Sequence, residues 1–117
     1  ALAKLQLHQE ANCLRTITEA PITPYKMWKK EGSFMKPFAQ LDGVESYNMP
    51  RQDLPEVYWH NGVLDLIRAS TIFDLGSISG SRIVHLEMSA DQVVDIDSRQ
   101  DLARAELIFS QLTATKE

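Results

Sequence analysis

Short strand-like segments separated by turn residues limit this chain to folds that combine strands with helices. Residues 13–19 alternate in the manner of a short strand, and the following stretch, Ala20–Pro24, contains two prolines, each of which removes a backbone donor and fixes φ. Helical periodicity is found near both ends of the chain. The pattern predicts an α/β or α+β domain. The other strand-like runs are 57–59, 63–67 and 82–88.

A β-hairpin is predicted for residues 25–39. Tyr25–Lys30 alternates, Phe34–Ala39 reads as a second short strand, and Glu31–Ser33 between them has the composition of a turn. Pro37 favours an edge position, because proline cannot donate a hydrogen bond to a neighbouring strand. The segment that follows the hairpin is rich in Asp, Gly, Asn and Pro, so we expect it to be irregular.

The C-terminal helix is predicted to begin after Ser98 and to run to about Leu112. Asp101 follows Ser98 by three residues, which gives an approximate capping box. Apolar residues recur at the helical period, and we expect them to face a core. These residues are Leu102, Ala105, Ile108 or Phe109, and Leu112.

Length and charge exclude several classes of protein. The chain has 117 residues, enough for one domain at most, and 12 Lys and Arg against 16 Asp and Glu give a net charge of −4. An acidic chain gains nothing from phosphate neutralisation, which argues against general nucleic-acid binding. No apolar run approaches the ~20 residues needed to cross a bilayer, and the single cysteine, Cys13, excludes an internal disulfide. We expect a protein of the reducing cytoplasm with no nucleic-acid or membrane partner.

Residues 1–11 are predicted to be helical. No Ser, Thr, Asp or Asn precedes them as an N-cap, so the helix is expected to begin before residue 1. We therefore expect the chain to be the rear part of a longer protein. Its own core would then be thin and would need a partner.

Asp95 and Asp97 form the sharpest local signal for chemistry. After Val93–Val94, predicted as a two-residue strand, residues two apart point to the same face and lie ~6.7 Å apart, while Ile96 between them points into a core. Two carboxylates at a strand end suit Mg²⁺, which takes one or two carboxylates together with substrate phosphates. The alternative is that Asp97 or Ser98 only caps the helix and Asp95 is a solvated charge.

A second candidate is Arg51, which lies in the polar loop Pro50–Pro55. Its planar guanidinium suits a carboxylate or a phosphate, and the prolines on either side stiffen the backbone that presents it. The alternative is an ordinary solvated loop arginine.

Tyr58–Gly62 has the composition of a pocket wall. Asn61 can both donate and accept, and a glycine next to it lets the backbone approach a ligand closely. Trp59 is more typical of a core. His60 has no second His or Cys at ligand spacing, so we reject a zinc site. No arrangement typical of a Ser, Cys or His nucleophile site is present, and we expect Cys13 to be buried or half-buried.

Several motifs follow one another in an order that is not random. They are Thr23–Trp28, Tyr47–Pro55, Val57–Gly62, Ser79–Gly80, and Val94–Ser98 with Asp101–Leu102 and Ala105–Glu106. This succession resembles the C-terminal half of the acylneuraminate cytidylyltransferase family, whose members make CMP-activated sialic acids and related acidic sugars. The likeness covers nearly the whole chain.

The resemblance implies that residues 1–117 are the C-terminal part of a Rossmann-like α/β/α nucleotidyltransferase sandwich with a protruding β-hairpin dimerisation segment. Residues 24–55 would be that segment, which in the family reaches towards the partner subunit's active site. Residues 56–117 would supply sheet strands, the metal site and the final helix. A homodimer is implied.

The resemblance also implies a binding site for an acidic sugar and CTP. Arg51 would bind the sugar acid or the nucleotide phosphates together with Gln52, and Asn61–Gly62 would face the sugar from a sheet strand. That position favours a kink at Asn61–Gly62 over the hairpin turn that Asn-Gly often forms. Asp95 and Asp97 would hold Mg²⁺ against the triphosphate. No catalytic acid, base or nucleophile is expected in this chain.

The implied reaction is attack of the sugar's anomeric hydroxyl on the α-phosphorus of CTP, with release of pyrophosphate. The family's nucleotide-binding front half is not in this sequence, so we expect the chain alone to be inactive. Val63–Asp65 departs from the Ala, Ile and Tyr of many relatives, which leaves the identity of the sugar open. The alternatives are a non-catalytic dimerisation module, formed by the hairpin and Trp28, and a glycosyltransferase fragment.

Overall fold

The computed structural model describes residues 1–114 as a mixed α/β chain with two separate sheets. The helices are α1 (Leu2–Leu7), α2 (Ala69–Phe73) and α3 (Arg99–Ala114). The strands are β1 (Cys13–Glu19), β2 (Trp28–Glu31), β3 (Phe34–Pro37), β4 (Tyr58–Ile67) and β5 (Ile83–Glu87). Short 3₁₀ turns occur at Pro24–Lys26, Ser46–Asn48, Arg51–Asp53 and Ala90–Gln92. None of these helices combines the length and the hydropathy that crossing a membrane requires.

The chain divides into two compact units. The first, which we call the sheet unit, combines Ala1–Thr18 with the chain from His60 onward and contains α1, α2, α3 and most of the three-stranded sheet. The second, the ribbon unit, is Glu19–Trp59 and contains the antiparallel pair β2 and β3. The predicted segment 24–55 lies inside the ribbon unit.

The three-stranded sheet has the order β4-β1-β5 and is mixed. β1 has the bounds that its alternation predicts, and Cys13–Ile17 pairs in parallel with β5. β4 runs antiparallel to β1, because the Arg68 amide donates to the Asn12 carbonyl while the Leu64 amide donates to the Thr16 hydroxyl further along. The strand predictions for 13–19 and 82–88 are confirmed.

Alternation along β1 directs its side chains to two faces of the sheet. Leu14 is fully buried and packs with Leu5 of α1 and with Ala11 in one cluster. The partly buried residues packed against this cluster are Leu66, Val84 and Leu86. The core therefore rests on a few aliphatic side chains on one face of the sheet.

β4 is one continuous strand with a kink inside it. The strand runs through Asn61 and Gly62 without forming a hairpin turn, and Gly62 has a φ of +71°. That φ lies in the left-handed region, which glycine enters without steric cost. The prediction of a kink in place of a turn is confirmed.

β2 and β3 form a hairpin at the predicted place, but its first strand begins at Trp28 and not at Tyr25, because Pro24–Lys26 forms a 3₁₀ turn. Trp28 lies opposite Pro37 and Glu31 opposite Phe34, with Gly32 at a φ of +60° in the turn between them. Every residue of the two strands is exposed except Pro37, which is half-buried. Phe34 is 82% exposed, so this pair of strands, which we call the ribbon, has no apolar core between its own side chains.

The final helix begins as predicted, but its apolar face is not buried. The Ser98 amide and hydroxyl both donate to Asp101 Oδ2, at 3.0 and 2.9 Å, and the Asp101 amide donates to Ser98 Oγ at 3.2 Å, which is a reciprocal capping box. Ala105 and Ile108 are only half-buried. The expectation of a core-facing stripe is wrong, because a helical period identifies the apolar face but not whether another element covers it. The exposed members are Leu102, Phe109 and Leu112.

The predicted strand at Val93–Val94 does not form. Residues 93–96 have no regular secondary structure between the 3₁₀ turn Ala90–Gln92 and the start of α3. Ile96 is 56% exposed, so the expectation that it points into a core is also wrong. Alternation over so few residues does not define a strand unless a neighbouring strand pairs with it.

Candidate functional site

A cavity of about 420 Å³ lies within the ribbon unit, beside the 3₁₀ turn Arg51–Asp53. Its volume falls within the roughly 300–1,000 Å³ of small-molecule sites. The residues that line it are Glu19, Thr23, Arg51, Gln52, Leu54, Pro55, Glu56 and Val57.

The Arg51 side chain in this lining is held by backbone carbonyl groups. Its Nη1 donates to the Pro21 carbonyl at 2.6 Å, and its Nη2 donates to the Ala20 carbonyl. A guanidinium has five N–H donors in a planar fork, so these two bonds orient it and leave further donors for a carboxylate or phosphate. Arg51 is a candidate from its own loop sequence, but no local signal indicates this anchor thirty residues away along the chain.

The same cavity carries acceptors for hydroxyl groups. Glu19 and Glu56 contribute carboxylates, and Gln52 contributes an amide that both donates and accepts. The Thr23 hydroxyl accepts from the Tyr25 amide at 3.3 Å, which leaves the hydroxyl hydrogen for another acceptor. The lining thus combines one guanidinium with two carboxylates and two neutral hydrogen-bonding side chains, those of Gln52 and Thr23.

Asn61 lies in the sheet unit, where its side chain belongs to a buried polar network. Asn61 Oδ1 accepts from the Thr16 hydroxyl at 2.7 Å and from the Val63 amide at 3.0 Å, and its Nδ2 donates to the Thr18 hydroxyl at 2.9 Å. Thr18 donates in turn to the Met88 carbonyl at 3.1 Å. The network therefore connects β4, β1 and the end of β5.

This network accounts for the kink in β4. Asn61 is 4% exposed and its oxygen accepts from the amide of Val63, across the left-handed residue Gly62. The composition of Tyr58–Gly62 indicates Asn61 and Gly62 but not their partners Thr16 and Thr18. The available signal was the Thr-x-Thr spacing in a strand, which places both hydroxyls on one face.

Asp95 and Asp97 lie in the stretch before α3, and both are exposed. Neither forms an ion pair with another side chain of the described range. Two solvent-facing carboxylates have the donor chemistry that Mg²⁺ accepts when phosphates supply the remaining ligands. Within residues 1–114, no group of three or more His, Cys, Asp and Glu side chains is placed to hold a metal ion by itself.

Two further ionisable groups, Asp101 and Cys13, have shifted pKa values that argue against a role in a site. Hydrogen bonds from the Asp97 amide and from the hydroxyl and amide of Ser98 hold the pKa of Asp101 below its ordinary value, so this carboxylate serves as the helix cap. Burial raises the pKa of the Cys13 thiol, which keeps the thiol protonated and makes it a poor nucleophile. Neither group is a candidate ligand or catalyst.

The predicted site residues fall into three places. Arg51 and Gln52 line one cavity in the ribbon unit. Asn61–Gly62 lies at the kink of β4, and Asp95–Asp97 lies before α3, both in the sheet unit. The lining of the ribbon-unit cavity contains neither of these two segments.

Comparison with known proteins adds no identification. No model of a known protein family matches the chain, and no curated protein shows significant sequence similarity to it.

Proposed function

We propose that this chain is the rear part of a cytidylyltransferase that transfers CMP from CTP to an acidic 2-keto sugar of the sialic-acid type. The observation that carries the proposal is the cavity around Arg51, whose guanidinium is anchored to the Ala20 and Pro21 carbonyls. A sugar acid presents one carboxylate to that guanidinium and several hydroxyls to the side chains of Gln52 and Glu56. The cavity volume is suitable for one monosaccharide.

The sheet supports the finer part of the proposal, a Rossmann-like sandwich. Parallel strands such as β1 and β5 are typical of sheets that are covered on both faces. β4 is 10 residues long, and its second edge has no neighbouring strand in the described range. Natural proteins usually shorten, charge or cover such an edge. Under this proposal, further strands of a complete sandwich pair there.

Asp95 and Asp97 are the residues that would hold Mg²⁺ in this enzyme. The bound ion neutralises phosphate charge in this class of reaction. Arg51 fixes the carboxylate of the sugar acid, and the hydroxyl-binding groups of the cavity orient its ring. Because the chain has no base-recognition motif, we expect it to bind the sugar acid but to turn over CTP only when it is joined to a nucleotide-binding part.

Calorimetric titration tests the sugar-binding step directly. The chain should bind N-acetylneuraminic acid more tightly than N-acetylmannosamine, which has no carboxylate. Arg51→Gln should raise Kd for the acid about tenfold or more, since a charge-assisted hydrogen bond contributes roughly 1.5–3 kcal/mol. Arg99→Gln, at the start of α3, is the matched control and should leave Kd unchanged. Equal affinity for the two sugars, or no response to Arg51→Gln, would reject the proposed site.

The second candidate is a non-catalytic interaction module that self-associates through the ribbon. The supporting observation is the exposure of Phe34, Met35 and Phe38, at 82, 59 and 58%. An isolated two-stranded hairpin is marginally stable at best, so a covering surface would stabilise it. Sedimentation equilibrium should show a dimer at micromolar concentration that Phe34→Glu shifts to monomer. A monomeric chain that still binds the sugar acid would leave only the first candidate.

A further inference from the structure

A second cavity, of about 220 Å³, lies in the sheet unit, where the segment after α1 meets the start of β5. It is a shallow, open cleft and is smaller than the pockets of drug-sized ligands, so it suits only a small molecule. Its polar lining residues are His8, Glu10 and Arg82, and its apolar wall is formed by Ala11, Ile83 and Val84. None of these residues belongs to the sites described above.

Arg82 presents its guanidinium from a fixed backbone. The Arg82 amide donates to Asn12 Oδ1 at 3.0 Å, and the Arg82 carbonyl accepts from the Asn12 amide at 2.7 Å. Gly80, at a φ of +64°, lies so close to Asn12 that a Cβ there would be 2.5 Å from its side chain. In the described chain, no carboxylate or carbonyl group pairs with the guanidinium. All of its donors are therefore available to a ligand carboxylate.

His8 and Glu10 contribute acceptors to the same cavity. His8 Nδ1 lies 2.8 Å from the Lys4 carbonyl oxygen, and a carbonyl can only accept. Nδ1 therefore carries a hydrogen, and Nε2 is an acceptor whenever it carries none. Among residues 1–114, Glu10 forms no ion pair with Arg82 or with any other cation. One cation and two acceptors thus border the cavity without neutralising one another.

We infer that this cavity binds a free α-amino acid with an aliphatic side chain. The α-carboxylate pairs with the guanidinium of Arg82, and the α-ammonium donates to Glu10 and to Nε2 of His8. The side chain of the ligand contacts the apolar wall. A peptide terminus would satisfy only one of the two charged groups, and an inorganic anion would leave both the acceptors and the apolar wall without a partner. A free amino acid matches all three features.

Titration of the complete chain with L-leucine, followed by calorimetry and by amide chemical shifts, tests this inference. N-acetyl-L-leucine lacks the ammonium group, and L-leucinamide lacks the carboxylate. L-leucine should bind with a Kd about tenfold lower than either compound, because each loses one charge-assisted pair. The largest shifts should be at Ala11, Ile83 and Val84. Equal affinity for the three compounds, or no saturable binding of L-leucine at millimolar concentration, would overturn the inference.

Substitutions test which residue binds the carboxylate of the ligand and which binds its ammonium group. Arg82→Gln should raise Kd for L-leucine about tenfold and leave Kd for L-leucinamide unchanged, while Glu10→Gln should affect L-leucine but not N-acetyl-L-leucine. Arg82→Lys keeps the charge but removes the planar fork. Its Kd for L-leucine should therefore lie between the Kd of the unsubstituted chain and that of Arg82→Gln. Arg99→Gln should have no effect. A loss of binding that is the same for all three compounds would show a structural effect and would overturn the assignment of the charged groups.

Discussion

In the three-stranded sheet, the central strand places Leu14, Thr16 and Thr18 in buried contacts with its neighbours, whereas β2 and β3 of the ribbon bury no side chain. The sheet has an aliphatic cluster on one face and a hydrogen-bonded polar network at the kink of β4. The two sheets are therefore stabilised by different means, although both arise from short alternating segments.

The antiparallel pair β2 and β3 depends on surface contacts. The rings of Trp28 and Tyr47 are 4.7 Å apart, and Lys29 Nζ lies 5.4 Å from the centre of the Phe38 ring. Such exposed contacts contribute about 1 kcal/mol or less each. A substitution of a buried residue in the three-stranded sheet should therefore lower the free energy of unfolding more than a substitution of an exposed residue in the ribbon unit. Pairs of like residues in the two units test this difference.

The largest contrast is expected for a buried and an exposed apolar residue. Leu14→Ala should lower the free energy of unfolding by about 2–5 kcal/mol, because it removes methyl groups from the cluster with Leu5 and leaves a cavity. Phe34→Ala should change it by about 0.5 kcal/mol or less. Urea denaturation followed by circular dichroism measures both values. Similar losses in the two variants would mean that Phe34 is covered in solution and that the ribbon is not an independent exposed pair.

Local signals predicted several elements in both units. The alternation of 13–19 gives β1, residues 32–33 of the predicted turn lie between β2 and β3, and Ser98 with Asp101 caps α3. Each of these features depends on residues a few positions apart, whose chemistry acts within one turn or one strand. For the same reason, Arg51 was recognisable as a candidate from its own loop.

Contacts between distant segments could not be predicted from such local signals. The Thr16–Asn61 hydrogen bond joins residues 45 positions apart, and the anchor of Arg51 at Pro21 joins residues 30 apart. The exposure of Ile96 likewise depends on whether another segment covers it. The donors and the apolar faces can be recognised in a single sequence, but the distant residues that bind or cover them cannot.

The second contrast concerns two glycines with nearly the same backbone. Gly80 and Gly32 have φ values of +64° and +60°, so alanine is strained at both by about 1–2 kcal/mol. A Cβ at Gly80 also meets the fixed side chain of Asn12, which adds about 1–3 kcal/mol of overpacking, whereas a Cβ at Gly32 meets open space. We therefore expect Gly80→Ala to lower the free energy of unfolding by about 1–3 kcal/mol more than Gly32→Ala does, as measured by urea denaturation. Equal losses would show that the Gly80 loop can move away from Asn12.

The third contrast concerns two asparagines whose side chains donate hydrogen bonds. Asn48 is exposed and donates to Glu45 at 3.2 Å, so Asn48→Ala should change the free energy of unfolding by about 0.5 kcal/mol or less. Asn61→Ala should cost about 2 kcal/mol, because it removes the buried acceptor of the Val63 amide and the donor to Thr18.

The expected loss of unfolding free energy in Asn61→Ala is moderate because the neighbouring threonine hydroxyls keep other hydrogen-bond partners. Thr16 Oγ also lies 3.1 Å from the Leu64 carbonyl, and Thr18 keeps its bond to the Met88 carbonyl, so both hydroxyls still have an acceptor after the substitution. A double-mutant cycle of Asn61→Ala with Thr18→Val should give a coupling energy of about 0.5–1 kcal/mol or more, since the two side chains share one hydrogen bond. Additive losses would mean that the bond does not contribute to folding, and the kink at Gly62 would then rest on the Asn61–Val63 contact alone.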